Sequence, residues 1–179
     1  MTDIQYLKGT QTEANLHKAF AGESQARNRY SYYAELAASE GLEDVAAFFT
    51  NMATNEMFHA KSWYKLIKGG VMPTVIEALE EAIAGENFEQ TSMYPLFAKT
   101  AEAEGLSQIA MLFTEIGKIE AQHEQKCRDI LQRLKDSSYT HELEKDMTCT
   151  LCGFDFRERD KLQECPVCGK ASEYFAKIL

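Results

Sequence analysis

The amino-acid sequence repeats itself at a spacing of 64 residues, and the repeated unit carries metal-ligand chemistry. Glu56-x-x-His59 returns as Glu120-x-x-His123, Glu40-Gly41-Leu42 as Glu104-Gly105-Leu106, Tyr30 as Tyr94 and Phe49 as Phe113. Upstream, Ala21-Gly22-Glu23 returns as Ala84-Gly85-Glu86 at an offset of 63, so the second copy has gained one residue between Glu86 and Tyr94. Self-similarity of this kind marks a duplicated supersecondary unit. A single insertion into a helix is commonly absorbed as a π-bulge, and such bulges gather at functional sites. Glu89 lies in that interval, where the first copy offers Ala26 or Arg27.

The unit that repeats is a helix hairpin. Val45, Phe49, Met52 and Trp63 recur at helical spacing, and Glu56 and His59 occupy the missing rungs. Ile109, Phe113, Ile116, Cys127, Ile130 and Leu134 repeat the pattern around Glu120 and His123, while Glu23 falls midway between Leu16 and Tyr30. Apolar stripes of this period face a core, which turns these polar residues inward. Gly41 and Gly105 suit the left-handed residue that ends a helix. Gly69-Gly70 stops the second helix, and Thr74-x-x-Glu77 after Pro73 reads as a capping box. That motif suggests a short extra helix before the third long one, in a connection long enough to pass from one end of a bundle to the other. The expected fold is therefore an all-α four-helix bundle over residues 1–140, a polar linker near 135–146, and a small domain over 145–179 that is too poor in apolar residues to fold without a staple.

An E-x-x-H pair puts both side chains on one face of a helix, where they can share an ion. Two such pairs, with Glu23 and Glu86 from the partner helices, make the four-glutamate, two-histidine pattern of di-iron and di-manganese carboxylate bundles. A single inward glutamate or histidine is more often a satisfied core hydrogen-bonder than a ligand. The in-register repetition is what separates this set from that case. Five inward glutamates (Glu23, Glu56, Glu86, Glu89 and Glu120) without cations would repel one another and carry a large desolvation cost. Glu89 is a surplus carboxylate, able to let one metal change ligands as its charge changes, which suggests redox turnover. Tyr30 and Tyr94 are either core aromatics or neighbours of the ligands. Cys127, opposite Trp63 in the repeat, reads as a small buried hydrophobe, and His17 and His141 as surface residues.

Cys149-x2-Cys152-x12-Cys165-x2-Cys168 supplies the staple. Each CxxC forms a tight turn, and two of them complete a tetrahedron of thiolates. Five cysteines in all, an odd number, with two CxxC pairs and no export signal in MTDIQYLKG, argue for metal ligation over disulfides. The spacing does not choose zinc from iron. Taken alone it favours zinc, which would be structural, whereas iron would relay electrons. A net charge of −9 argues against nucleic acid, and no apolar run approaches a membrane span, so a cytoplasmic, soluble protein is expected.

Ala21-Gly22-Glu23-Ser24, Glu56-x-x-His59, Glu86-x-x-Glu89, Glu120-x-x-His123 and the terminal Cys149-to-Cys168 knot, in that order, resemble the rubrerythrins over essentially the whole chain. The resemblance implies a ferritin-like bundle with a non-haem di-iron centre, then a rubredoxin-like module with one iron. It implies that Glu56 and Glu120 bridge two irons, and that Glu23 completes one and Glu86 with His123 the other. Glu89 and His59 would exchange at the first iron, with Tyr30 and Tyr94 hydrogen-bonded to ligand carboxylates. It further implies reduction of hydrogen peroxide to water, electrons from an external reductase or rubredoxin passing through the four-cysteine iron, and a homodimer. The absence of a Gly-rich dinucleotide fingerprint fits an external donor. Two competing readings are a ferritin-like ferroxidase or iron-handling protein, which needs no rubredoxin-like module, and a zinc-knotted interaction or sensor protein.

Overall fold

Thr10 opens the first helix, α1 (Gln11–Ser39), by accepting a hydrogen bond on its side chain from the Glu13 backbone N–H at 3.1 Å, while Glu13 reaches back to the Gly9 N–H at 2.6 Å. These bonds satisfy donors that a helix start otherwise leaves without partners. A computed structural model describes residues 7–136, 147–157 and 162–177. The first six residues, most of the expected linker and His141 lie outside the described residues. The chain divides into two compact units, residues 1–73 and 74–179.

The first unit is a hairpin of α1 and α2 (Glu43–Ile67). Gly41 adopts φ +74°, and Leu42 N–H donates to the Ala37 carbonyl at 2.9 Å, closing the helix end as a left-handed cap does. The second unit contains the other hairpin. Thr74 and Glu77 form the expected capping box, with Thr74 N–H donating to Glu77 Oε2 at 2.7 Å. The box opens the long helix itself, however. Helix α3 (Val75–Phe88) starts there and passes through a π-helical turn (Glu89–Met93) straight into α4 (Tyr94–Ala103), so the described residues contain no separate short helix before it. Nothing between Thr74 and Phe88 breaks the backbone ladder. The π-turn falls where the inserted residue required it. Pro95, which lacks a backbone N–H, sits in the first turn of α4 at the exit from that irregularity, where a missing donor costs least. Gly105 (φ +79°) and the Leu106 N–H to Ala101 carbonyl bond at 2.8 Å then repeat the first hairpin's turn and lead into α5 (Ser107–Lys135).

The hairpins are seamed by small residues and not by the large apolar stripe. Ala46, Ala53 and Ala60 are buried along α2, seven residues apart, and their repeat partners on α5 are the buried Ala110, Gly117 and Glu124. Small side chains let two helices approach closely. A Cβ on Gly117 would lie 3.2 Å from the Cβ of Tyr94. Val45 and Ile109, placed in the core by their spacing, precede each seam by one position and are 40% and 46% exposed. The reason is geometric: one helix–helix contact covers only a narrow stripe of each helix.

The cysteine-rich segment of the second unit is a three-stranded antiparallel sheet of β1 (Met147–Cys149), β2 (Asp155–Phe156) and β3 (Phe175–Ala176), with β1 in the centre. Thr148 pairs with Asp155 on one side and Ala176 on the other. Phe156 and Phe175 meet edge to face at 4.6 Å, a small aromatic core beside the cysteines.

Candidate metal centres

The two E-x-x-H motifs form the same geometry in the two units. His59 Nδ1 lies 2.8 Å from Glu56 Oε2 and 3.8 Å from Glu23 Oε1. His123 Nδ1 lies 2.8 Å from Glu120 Oε2 and 3.8 Å from Glu86 Oε2. In each triad one ligand atom per residue falls within 4.8 Å of the others, the compactness that a single ion needs. Helical spacing sets the shorter distance, because i and i+3 side chains share a face. The hairpin sets the longer one by bringing the partner helix alongside. Glu56 and Glu120 are the most buried members of their triads, at 16% and 13% exposed, while His59 is open at 56%.

The charge in the second triad is uncompensated. Burial, together with Glu120, lifts the Glu86 carboxyl from 4.5 to about 7, and Glu89 adds to the rise. Carboxylates that resist ionising side by side are relieved by a cation, so this donor set fits a bound metal. Glu89 is not among the three mutually close ligand residues. It begins the π-turn, near enough for its charge to raise both Glu86 and Tyr94. Burial first, and then Glu120, Glu89 and Glu86, push the Tyr94 phenol up, so its hydroxyl stays a donor beside the carboxylates. Tyr30 instead packs in an aromatic cluster, 6.2 Å from Tyr33 and 6.1 Å from Phe49 between ring centres. Cys127 is half-buried, with its thiol pushed up by burial, as a small apolar residue would be, and His17 is exposed.

Four sulfurs converge in the small sheet. Cys149 and Cys165 are fully buried, and Cys152 and Cys168 half-buried. Sγ of Cys149 and Cys168 are 3.7 Å apart, and those of Cys152 and Cys165 3.6 Å. A disulfide would be near 2.05 Å. A tetrahedron with metal–sulfur arms of about 2.3 Å has edges of about 3.8 Å, so the spacing fits four thiolates around one ion. The two knuckles are built alike: Gly153 N–H donates to the Cys149 carbonyl and Gly169 N–H to the Cys165 carbonyl, both at 2.9 Å, with φ of +78° and +68°. Burial pushes the Cys149 thiol up, but backbone N–H groups of Cys152 and Leu151 bring it below its ordinary value. Burial raises Cys152.

Within the second unit the knot lies against α5. The space that a Cβ on Gly153 would fill is taken by the His123 imidazole, with Ile119 alongside. Lys126 Nζ and Asp155 Oδ1 are 2.9 Å apart, Thr148 Oγ1 donates to the same oxygen at 2.6 Å, and Asp155 N–H reaches Gln122 Oε1 at 3.4 Å. Sequence reasoning missed Gln122, Lys126 and Asp155, which have no local motif. It also missed Glu124, although comparing the two copies at the seam would have marked it: Ala60 stands in its place. Glu124 is 7% exposed and accepts hydrogen bonds from Arg128, Gln90 and Asn87, which in that order hold its carboxyl below the usual range.

A family model described as Rubrerythrin matches residues 14–73 and 77–161. A protein named Rubrerythrin from Porphyromonas gingivalis is 38% identical to this chain, the match covering 94% of the chain and 90% of the relative. One of the same name from Nitratidesulfovibrio vulgaris is 35% identical, covering 94% and 95%. A solved structure of nigerythrin in a partially reduced state is 25% identical with a TM-score of 0.46, covering 94% of this chain and 86% of that one.

Proposed function

The chain belongs to the rubrerythrin family, and from that premise we propose that it is a non-haem di-iron peroxidase that reduces hydrogen peroxide to water in defence against oxidative stress. Family membership, the two carboxylate–histidine triads and the four-cysteine cluster together make the chain an iron-binding protein of oxidoreductase type. Peroxide reduction is the finer reading. The observation that carries it is the seating of the knot on α5, with Gly153, next to Cys152, against His123. A structural zinc knot has no reason to sit on a redox ligand, and a storage protein has no need of the knot.

In this reading Glu56 and Glu120 would be the carboxylates that two irons share, and Glu23, Glu86 and His123 would complete the ligand set. Glu89 and His59 would serve as alternative ligands, and Tyr94 would donate a hydrogen bond to the ligand carboxylates, with Tyr30 as its repeat partner. The iron pair, when bound, supplies the two electrons that with two protons turn one peroxide into two waters, and the four-cysteine iron supplies the means to restore them. What the chain itself contributes is orientation. The Glu120–His123 pair fixes the ring so that Nδ1 faces the carboxylates and Nε2 packs against Gly153, next to Cys152 of the knot, a short through-contact path between centres.

We assign the electron supply to an external reductase or rubredoxin, because the sequence has no dinucleotide fingerprint. A homodimer is supported by exposed large apolar residues on both hairpins, Tyr32 and Phe48 on one and Leu96 and Leu112 on the other. A reducing cytoplasm suits five free cysteines; among the described residues no helix is long and apolar enough to cross a membrane.

The test is spectroscopic. Protein purified from its native host should contain iron at both centres, and the red four-thiolate colour should bleach with a reductant and return with peroxide. Zinc in the knot, or a reduced protein that leaves peroxide unconsumed, refutes the assignment.

A further inference from the structure

The repeat is nearly symmetric, yet at one of its seam positions a small residue gives way to a charged one. Ala46, Ala53 and Ala60 line the first hairpin, and Ala110, Gly117 and Glu124 line the second. A carboxylate therefore stands where the first copy keeps a methyl group, and only the second copy has a π-turn. Both departures meet in the same place. Glu124 accepts from Asn87 Nδ2 at 3.1 and 3.3 Å on its two oxygens, from Gln90 Nε2 at 2.9 Å and from Arg128 Nε at 2.8 Å, with the Arg128 Nη2 group also on it. Asn87 lies two residues before the π-turn and Gln90 is its second residue. The repeat partners of Asn87 and Gln90 are Ser24 and, depending on the offset used, Arg27 or Ala26.

A π-turn accommodates one surplus residue, but hydrogen bonding along the backbone does not by itself say where on the helix that residue must sit. Sliding the bulge by one position turns each residue it passes about 100° around the axis. Glu89, the first residue of the turn, is the one such a slide would carry away from Glu86 and Tyr94. A buried, charged side chain gripping the helix on both sides of Glu89 makes any other register leave that charge without its donors, a strongly unfavourable state.

We propose that Glu124 is a positioning residue: through Asn87, Gln90 and Arg128 it pins the π-turn at Glu89–Met93 and so holds Glu89 at the metal site. The idea rests on Glu89 serving as a ligand. It assigns the charged seam residue a task that the hairpin without a π-turn does not need.

The experiment uses the full chain loaded with cobalt(II), whose visible absorption follows ligand number and geometry, together with amide hydrogen exchange of the metal-free protein. In Glu124→Ala, the residue of the first copy, amides 89–94 should exchange at least about tenfold faster while 110–118 keep their protection. The cobalt spectrum should move toward that of Glu89→Ala, and the double variant should go no further. Gln90→Met, which removes one donor and leaves the carboxylate, should give the same changes in smaller measure, and decides the matter if Glu124→Ala does not fold. A general loss of stability moves neither the spectrum nor the local exchange pattern. Folded variants with native spectra and native exchange at 89–94 overturn the proposal. If Glu89→Ala alone leaves the cobalt spectrum unchanged, the ligand reading of Glu89 is what fails, and the exchange data still decide whether Glu124 pins the turn.

Discussion

Gly153 and His123 occupy one another's space: the imidazole lies where a side chain on Gly153 would have to be. The glycine is thus required twice, once by its φ of +78° in the knuckle after Cys152 and once by the ring on α5.

Gly153→Ala should accordingly do more than loosen the knuckle. A left-handed alanine costs about 1–3 kcal/mol, and the added methyl must displace His123. Urea unfolding should show the stability loss. Rapid-mixing measurement of re-reduction after peroxide should show electron delivery slowed by at least about tenfold, the scale on which a small misplacement acts. A variant that is less stable yet re-reduced at the native rate would show that this contact is no part of the route.

Glu89→Ala should bind two metals as the native chain does, because Glu86, Glu120 and His123 already form a compact triad without it. Peroxide turnover should fall by about tenfold or more, the usual cost of losing a tuning group around a metal. Metal analysis and steady-state peroxide consumption check both halves, and native turnover removes Glu89 from the mechanism.

Cys165→Ser takes away one of the two fully buried sulfurs. Turnover driven by an external donor should be abolished, while the pre-reduced protein should still consume one equivalent of peroxide. Continued cycling would mean that electrons enter elsewhere.

Metal removal should expose the strain at Glu86. Its carboxyl is raised from 4.5 to about 7 by burial and by Glu120, so the folded, metal-free chain holds this proton more tightly than the unfolded one. Stability from this group is complete below about pH 4.5 and is lost as pH rises through about 7. Chelator-treated protein should therefore unfold at lower urea at pH 8 than at pH 5.5. Glu86→Gln should flatten the difference, and metal loading should restore stability at pH 8. An equal pH dependence in Glu86→Gln would place the effect in other groups.

How much of this was legible beforehand follows from the range of each interaction. Glu56, His59, Glu120 and His123 were readable because three residues along a helix bring two side chains together whatever the rest of the chain does. The four cysteines were readable because a tetrahedron of sulfur demands two tight CxxC turns, and the π-turn because one extra residue broke a 64-residue period. The start of α3 was misread, since a capping box shows that a helix begins but not how far it runs. The stripe of Val45 and Ile109 was misread too, because periodicity finds an apolar face without saying which neighbour covers it.

What the sequence alone determined was thus the inventory: two carboxylate–histidine triads, a thiolate knot and the helix with a surplus residue. Each is written in spacings of two to four residues or in an exact repeat. Only the tertiary structure decided that Glu124 grips Asn87 and Gln90 from 37 and 34 residues away, and that His123, in the middle of α5, meets Gly153. Those meetings depend on how closely Gly117 lets α5 approach Tyr94 and on where Lys126 finds Asp155. Such contacts form between surfaces, and no local pattern in the chain encodes them.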